Sequence, residues 1–416
     1  MTTRDPEELY QKREQRVRDA IQLKEPDRVP VVLGGAYFAA RYAGVPASSM
    51  YYDIGAWKAA YKKTILDFEP DLHNENVGAT GGRTHEALGT RQMRWPGYNL
   101  PPDAAYQFVE GEYMKEDEYK LFLSDPSDFF LRCYLPRTFG ALEPLAKLPP
   151  LRSMFSTSFA GITPIFGTPD FLKAAEALYQ AAQAQQKWRE EAMGFEEEMA
   201  RLGFPAASHF GGVMGAPFDA ISDFLRGMRG SMMDMFRHPD ELLAACDKIL
   251  EWQTANAIPA DPRRRGNPKR AFMALHRGSE GFMSIKQFER FYWPGLKKAI
   301  LTNINLGYVP IIFMEGKFDT RLEYLLELPK KSIICRFVDT DMSLAKSVLG
   351  DHFCIMGNVP LSLLQIGSPS EVDEYCRNLI KICGRGGGFI LTSGSASINE
   401  AKPENVRAMV DSVKKH

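Results

Sequence analysis

Cysteine is scarce in these 416 residues: six in all, at 133, 246, 335, 354, 376 and 383, with no Cys-x-x-Cys pair. That spacing excludes a zinc ribbon or a dithiol redox motif, and it fits buried free thiols in a reducing cytoplasm. No apolar run approaches the roughly 18 residues of a membrane helix, and the amino-terminal MTTRDPEELYQKREQR is charged rather than signal-like. An excess of one charge is missing too. Lys and Arg total 51 against 52 Asp and Glu, so the basic footprint of a nucleic-acid binder is absent. The one basic cluster, Arg263-Arg264-Arg265 with Lys269-Arg270 nearby, lies in a linker containing Pro and Gly and reads as solvated loop. The glycine-rich Gly78-Ala79-Thr80-Gly81-Gly82 matches neither phosphate-cradling pattern, and no G-x-S-x-G supplies a nucleophile elbow.

What is present is a regular rhythm. At 44% hydrophobic and 25% charged, the chain can bury a large core. Strand-like runs are expected at Arg28–Leu33, Leu72–Val77, His209–Met214, Ala271–Leu275, Val309–Met314, Ile333–Val338, Phe353–Met356 and Phe389–Thr392. Helical patterns alternate with them, among them Glu7–Lys24, Ile54–Phe68, Pro239–Ala257 and Pro369–Ile382. Eight such units predict an α/β fold, a (β/α)8 barrel forming a single domain over 1–416, with a doubly wound open sheet as the alternative. An amino-terminal helix and insertions at about 80–110 and 150–205 complete it.

In such a barrel, residues at the carboxyl ends of strands converge on one mouth. His276, Glu315, Asp339, Asn358 and Ser395 hold those positions on the last five strands. Tyr37 follows the first strand, Asn74 lies on the second and His209 opens the third. Glu315 stands out: it ends an apolar strand, precedes Gly316 and caps no obvious helix. A buried carboxylate needs a cation, a metal or a proton. Glu315, His276 and Asp339 are therefore the candidate catalytic residues, and one possible Zn²⁺ ligand set. Arg277, Asn358, Tyr37, His209, Asn74 and Ser395 are candidate substrate contacts. Arg277 could grip a carboxylate or pair with a barrel acid such as Asp339; Asn358 could simply hold a turn; Asp319 and Asp341 read as helix caps.

Short motifs then converge. Asp27-Arg28-Val29-Pro30, GVMGAP at 212–217, Phe282-Met283-Ser284 with FERFYWP at 288–294, Gly357-Asn358-Val359-Pro360 and GSASINEAKPEN at 394–405 together resemble the uroporphyrinogen decarboxylase superfamily. The resemblance spans roughly 20–412. Its porphyrinogen-decarboxylating branch carries R-Q-A-G-R-Y after the first strand, where this chain has Ala36 to Gly44. That branch also has an aspartate where Asn74-Glu75-Asn76 stands. The sequence around His276 resembles the corrinoid-dependent methyltransferase branch instead. Thiol-methylating members bind zinc through H-x-C and a later Cys; those positions here are Phe313, Glu315 and Ser395, so all three ligands are absent.

The resemblance therefore implies a demethylating enzyme. It would pass a methyl group from a small methylated donor, such as an aromatic methyl ether, to a corrinoid on a partner protein, with zinc a candidate second cofactor and a homodimer the expected assembly. Tyr37, Phe38, Phe218 and Phe313 would stack a planar donor or belong to the core. A decarboxylase or lyase using Arg41 or Arg277, and a non-catalytic ligand- or corrinoid-protein-binding barrel, are the alternatives.

Overall fold

Alternating apolar strands and amphipathic helices build a parallel ring, described for residues 5–74, 80–153, 155 and 158–416 in a computed structural model. Strand β1 (Val32–Gly34) pairs in parallel with β2 (Leu72–Asn74). Strands β3 (Met93–Arg94) and β4 (Gln107–Phe108) form a separate antiparallel ribbon. Five parallel strands follow in sequence order: β5 (Arg270–Leu275), β6 (Val309–Met314), β7 (Ile334–Phe337), β8 (Cys354–Val359) and β9 (Phe389–Ser393).

Two seams join these sheets. At one, Val31 bridges Leu391, bringing β1 beside β9. At the other, His73 on β2 bridges Ala206, and further along the same segment Gly215 bridges Ala274 on β5. The ring closes through that segment. It is not the regular strand expected at His209–Met214. Pro205 cannot donate to a ladder, and Gly211 (φ +141) and Gly212 (φ +70) leave the extended region. At Val213 its backbone is satisfied instead by Asn303, whose side chain accepts from Val213 N (2.6 Å) and donates to Val213 O (2.8 Å). The second strand is described only to Asn74; the remainder of its expected span, and Gly78-Ala79 of the glycine-rich loop, lie outside the described residues.

Period-two alternation sorts the strand side chains into two cores. Met273, Leu275, Ile312, Met314, Cys335, Phe337, Ile355 and Leu391 face outward against the helices. Val32, Leu72, Ile311, Ile334, Cys354, Met356 and Ile390 fill the lumen, and the helix Pro6–Ile21 adds Val17, Ala20 and Ile21 to that cluster. At the amino ends of the strands, the fully buried Arg270 forks onto Glu14 of this helix (2.8 and 3.0 Å). Asp71 similarly accepts from Arg16, Arg28 and Val31 N.

Helices Ile54–Phe68 and Pro239–Asn256 match the periodic reading within a residue. The stretch after 168 is two helices, Pro169–Ala192 and Phe195–Arg201, separated at Gly194, whose φ is +82. All six cysteines are free, and all but Cys133 are buried. No helix among the described residues is long and apolar enough to cross a membrane.

Candidate active site

The polar centre begins on a short helix, Pro217–Ile221, that runs into a π turn at Ser222–Arg226. Asp219, Ser222 and Asp223 stand three and four residues apart and so share one face, turned toward the end of β5. There the Asp219 carboxylate accepts from His276 N and Arg277 N, both at 3.0 Å, and from the Tyr292 hydroxyl at 2.6 Å. Asp223 accepts the His276 ring through Nδ1 at 2.5 Å and Arg277 Nη2 at 3.1 Å, while Arg277 Nε donates to Ser222 Oγ at 3.0 Å. Only glycine fits at 278: a Cβ there would lie 2.5 Å from the Tyr292 ring.

These contacts set the charges. The Asp223 hydrogen bond raises the His276 pKa to about 9 against the opposing effect of burial, so this side chain is an imidazolium at neutral pH. Asp219 is buried, and desolvation lifts it to about 6 despite its donors. Glu315, half-buried, is raised above the ordinary carboxylate range by burial, with the positive charge of His276 pulling the other way. A charged imidazolium and a carboxyl whose proton affinity burial raises thus stand at neighbouring strand ends. Such groups suit general acid catalysis of a leaving group's departure.

Strand parity explains which predicted residues meet. Phe272, Ala274 and His276 alternate on β5, as do Ile311, Phe313 and Glu315 on β6, so His276 and Glu315 both point to the lumen side. Asp339 follows the outward parity of Cys335 and Phe337; it is exposed and lines a rim cavity of about 830 Å³ with Asn358, Tyr375 and Ser395. Asn358 is buried and held as a brace, donating to Val338 O (3.0 Å) and Thr340 O (3.1 Å). Tyr37, bonded to Tyr51 at 2.9 Å, and Ser395 line a second mouth cavity of about 1280 Å³ that includes Arg41. Asn74 ends β2, paired with Gly34 of β1.

Several expectations are corrected. His209 belongs to the opposite end of the barrel: its backbone N donates to Arg270 O (2.7 Å) and its ring lies by Gly266, far along β5 from the mouth. Arg277 pairs with Asp223, not Asp339. Asp341 does cap helix Met342–Leu349, but Asp319 accepts from Asp341 N instead of capping. Phe38 and Phe218 are outer-core residues, whereas Phe313 faces the lumen. Nor do Glu315, His276 and Asp339 fit a zinc ion: among the described residues no three His, Cys, Asp or Glu side chains gather where one cation could bind them. His276 Nδ1 is committed to Asp223, and Asp339 has the wrong parity.

Three residues of this polar centre escaped the periodic reading, Asp219, Asp223 and Tyr292, and with them the buried Arg336 of β7. The first three lie on helical segments, where strand-end reasoning does not look. Arg336 had a visible signal, a lone charge inside the apolar run of β7.

Comparison with known proteins bears on the fold. The family model described as Uroporphyrinogen decarboxylase (URO-D) matches residues 198–416. A methyltransferase from Methanosarcina mazei superposes over 97% of this chain and 98% of its own, with a TM-score of 0.58 at 15% sequence identity. No curated protein matches.

Proposed function

We propose a function from one premise: the chain belongs to the uroporphyrinogen decarboxylase family, whose model covers its carboxyl-terminal half and the whole polar centre from Asp219 to Glu315. The protein is a methyltransferase that takes a methyl group from a small methylated donor, with a corrinoid on a partner protein as acceptor. The name of the Methanosarcina mazei neighbour supports this reading. The observation that carries it is the pair of proton donors at the mouth, His276 held cationic by Asp223 and Glu315 held toward its acid form by burial.

The methyl carbon leaves without the bonding pair, which stays on the donor's heteroatom. That atom becomes a good leaving group only if it gains a proton, and Glu315 is the group we assign to give it. His276, fixed by Asp223, supplies positive charge beside the developing anion. Asp219 and Tyr292 position the His276-Arg277 backbone. No step is routed through zinc, because the donor set does not fit it.

A decarboxylase would also need an arginine for its substrate's carboxylate; Arg277 is engaged by Asp223 and Ser222, which leaves Arg41 on the larger cavity and Arg336 in the lumen. Methyl transfer from a panel of methylated donors to reduced corrinoid protein tests the assignment; carbon dioxide release without methyl transfer would replace it.

A further inference from the structure

Arg336 is 5% exposed, and its position on β7 points it into the lumen, in line with Ile334 and in register with Phe313 of β6. Its guanidinium lies 4.5 Å above the Phe313 ring. Among the described residues only Nη2 is bonded, to Ser395 O (2.9 Å) and Ser393 O (3.4 Å), and the buried Nε has no partner. No carboxylate lies within ion-pair distance among the described residues; the nearest acid to influence it, Glu315, lies farther off.

A buried cation without an anion is costly, and proteins ordinarily pair it. The buried Arg270 and Arg226 follow that rule, with Glu14 and Asp234. Arg321 also leaves its Nε unpartnered, but it is stacked on Phe288 in the helical layer and has no lumen to serve. Arg336 combines an unpartnered donor, an aromatic floor and a position just below the mouth acid Glu315.

We propose that Arg336 is the subsite for a carboxylate group of the substrate, which enters the mouth acid-end first and lies against Phe313. A planar monoanion suits the fork of an arginine. A phosphate dianion does not, because the Ser393 and Ser395 carbonyl oxygens on the same guanidinium would face its extra charge. The inference deepens the proposed function, resting on it for the mouth as a substrate site, and it narrows the donor to a methylated small carboxylic acid.

Calorimetric titration of the full chain with acetate and benzoate, each beside its uncharged amide, tests this without any turnover. The carboxylates should outbind their amides, and Arg336→Met should weaken carboxylate binding about 10- to 100-fold while leaving the amides unchanged. Arg336→Lys, which keeps the charge but loses the fork, should weaken carboxylate binding less than Arg336→Met and remains informative if Arg336→Met does not fold. Equal affinity for acids and amides, or unchanged carboxylate affinity in Arg336→Met, overturns the subsite. Arginine-dependent carboxylate binding in a protein that transfers no methyl group would uphold the subsite and sink the proposed reaction.

Discussion

Replacing Asp223 by asparagine should remove the charge of His276 near neutral pH. The carboxylate lies 2.5 Å from His276 Nδ1 and is the largest cause of a pKa raised from 6.5 to about 9. At about 1.36 kcal/mol per pH unit, that difference sets a ceiling of roughly 3 kcal/mol on the coupling. The imidazole is 36% exposed, and solvent screening reduces the contribution to about 1–2 kcal/mol. In Asp223→Asn, burial then acts with less opposition, and His276 should titrate near or below 6.5. The stability sign follows from a base whose folded pKa is raised. The pair's contribution is complete below pH 6.5 and fades as pH rises through about 9. Arg277 loses a partner in the same variant, so the test reads the change across the pH series and not the loss at any one pH. The assay is an NMR titration of the His276 ring carbon protons, paired with urea unfolding at pH 6, 8 and 10. The difference between wild type and variant should shrink across that series. A variant in which His276 still titrates near 9 would refute the assignment of its charge to Asp223.

Two further outcomes concern the frame around the site. Tyr292→Phe removes the 2.6 Å hydrogen bond to Asp219 and should cost about 1–3 kcal/mol at pH 8. Because the folded pKa of Asp219, about 6, lies above its ordinary 3.8, the carboxylate is charged at pH 8 and largely neutral at pH 5. The loss in urea unfolding should therefore be smaller at pH 5; an equal loss at both values contradicts the buried-charge account. Glu14→Gln leaves the fully buried Arg270 without its anion and should destabilise the barrel floor by about 3–5 kcal/mol, read as a large drop in Tm. A change within one or two degrees would show that the pair contributes little.

The barrel was legible because burial on both faces writes each strand as a continuous apolar run; β5 to β9 all fall where such runs end in Gly, Asn or charged residues. The third member was not, because Gly211 and Gly212 interrupt its ladder while Phe210 and Val213 keep it apolar in composition. The same limit explains His209, which sits at the start of that segment and so at the wrong end of the barrel. At the mouth, strand parity correctly brought His276 and Glu315 together, but a one-residue difference in phase sends Asp339 to the rim. Asp219, Asp223 and Tyr292 were hidden for another reason: they reach the site from helices through tertiary packing, which no local spacing records. Arg336 could have been found, since a lone charge in a buried strand always requires an explanation.

The central claim is that Glu315 delivers the proton that releases a methyl donor. Single-turnover methyl transfer to reduced corrinoid protein, wild type against Glu315→Gln, measures it most directly. The account predicts transfer by the wild type and a loss of about 10²–10⁴-fold in the variant, with the His276 titration unchanged in its dependence on Asp223. A wild type that transfers nothing, or a variant that transfers at the wild-type rate, would contradict it.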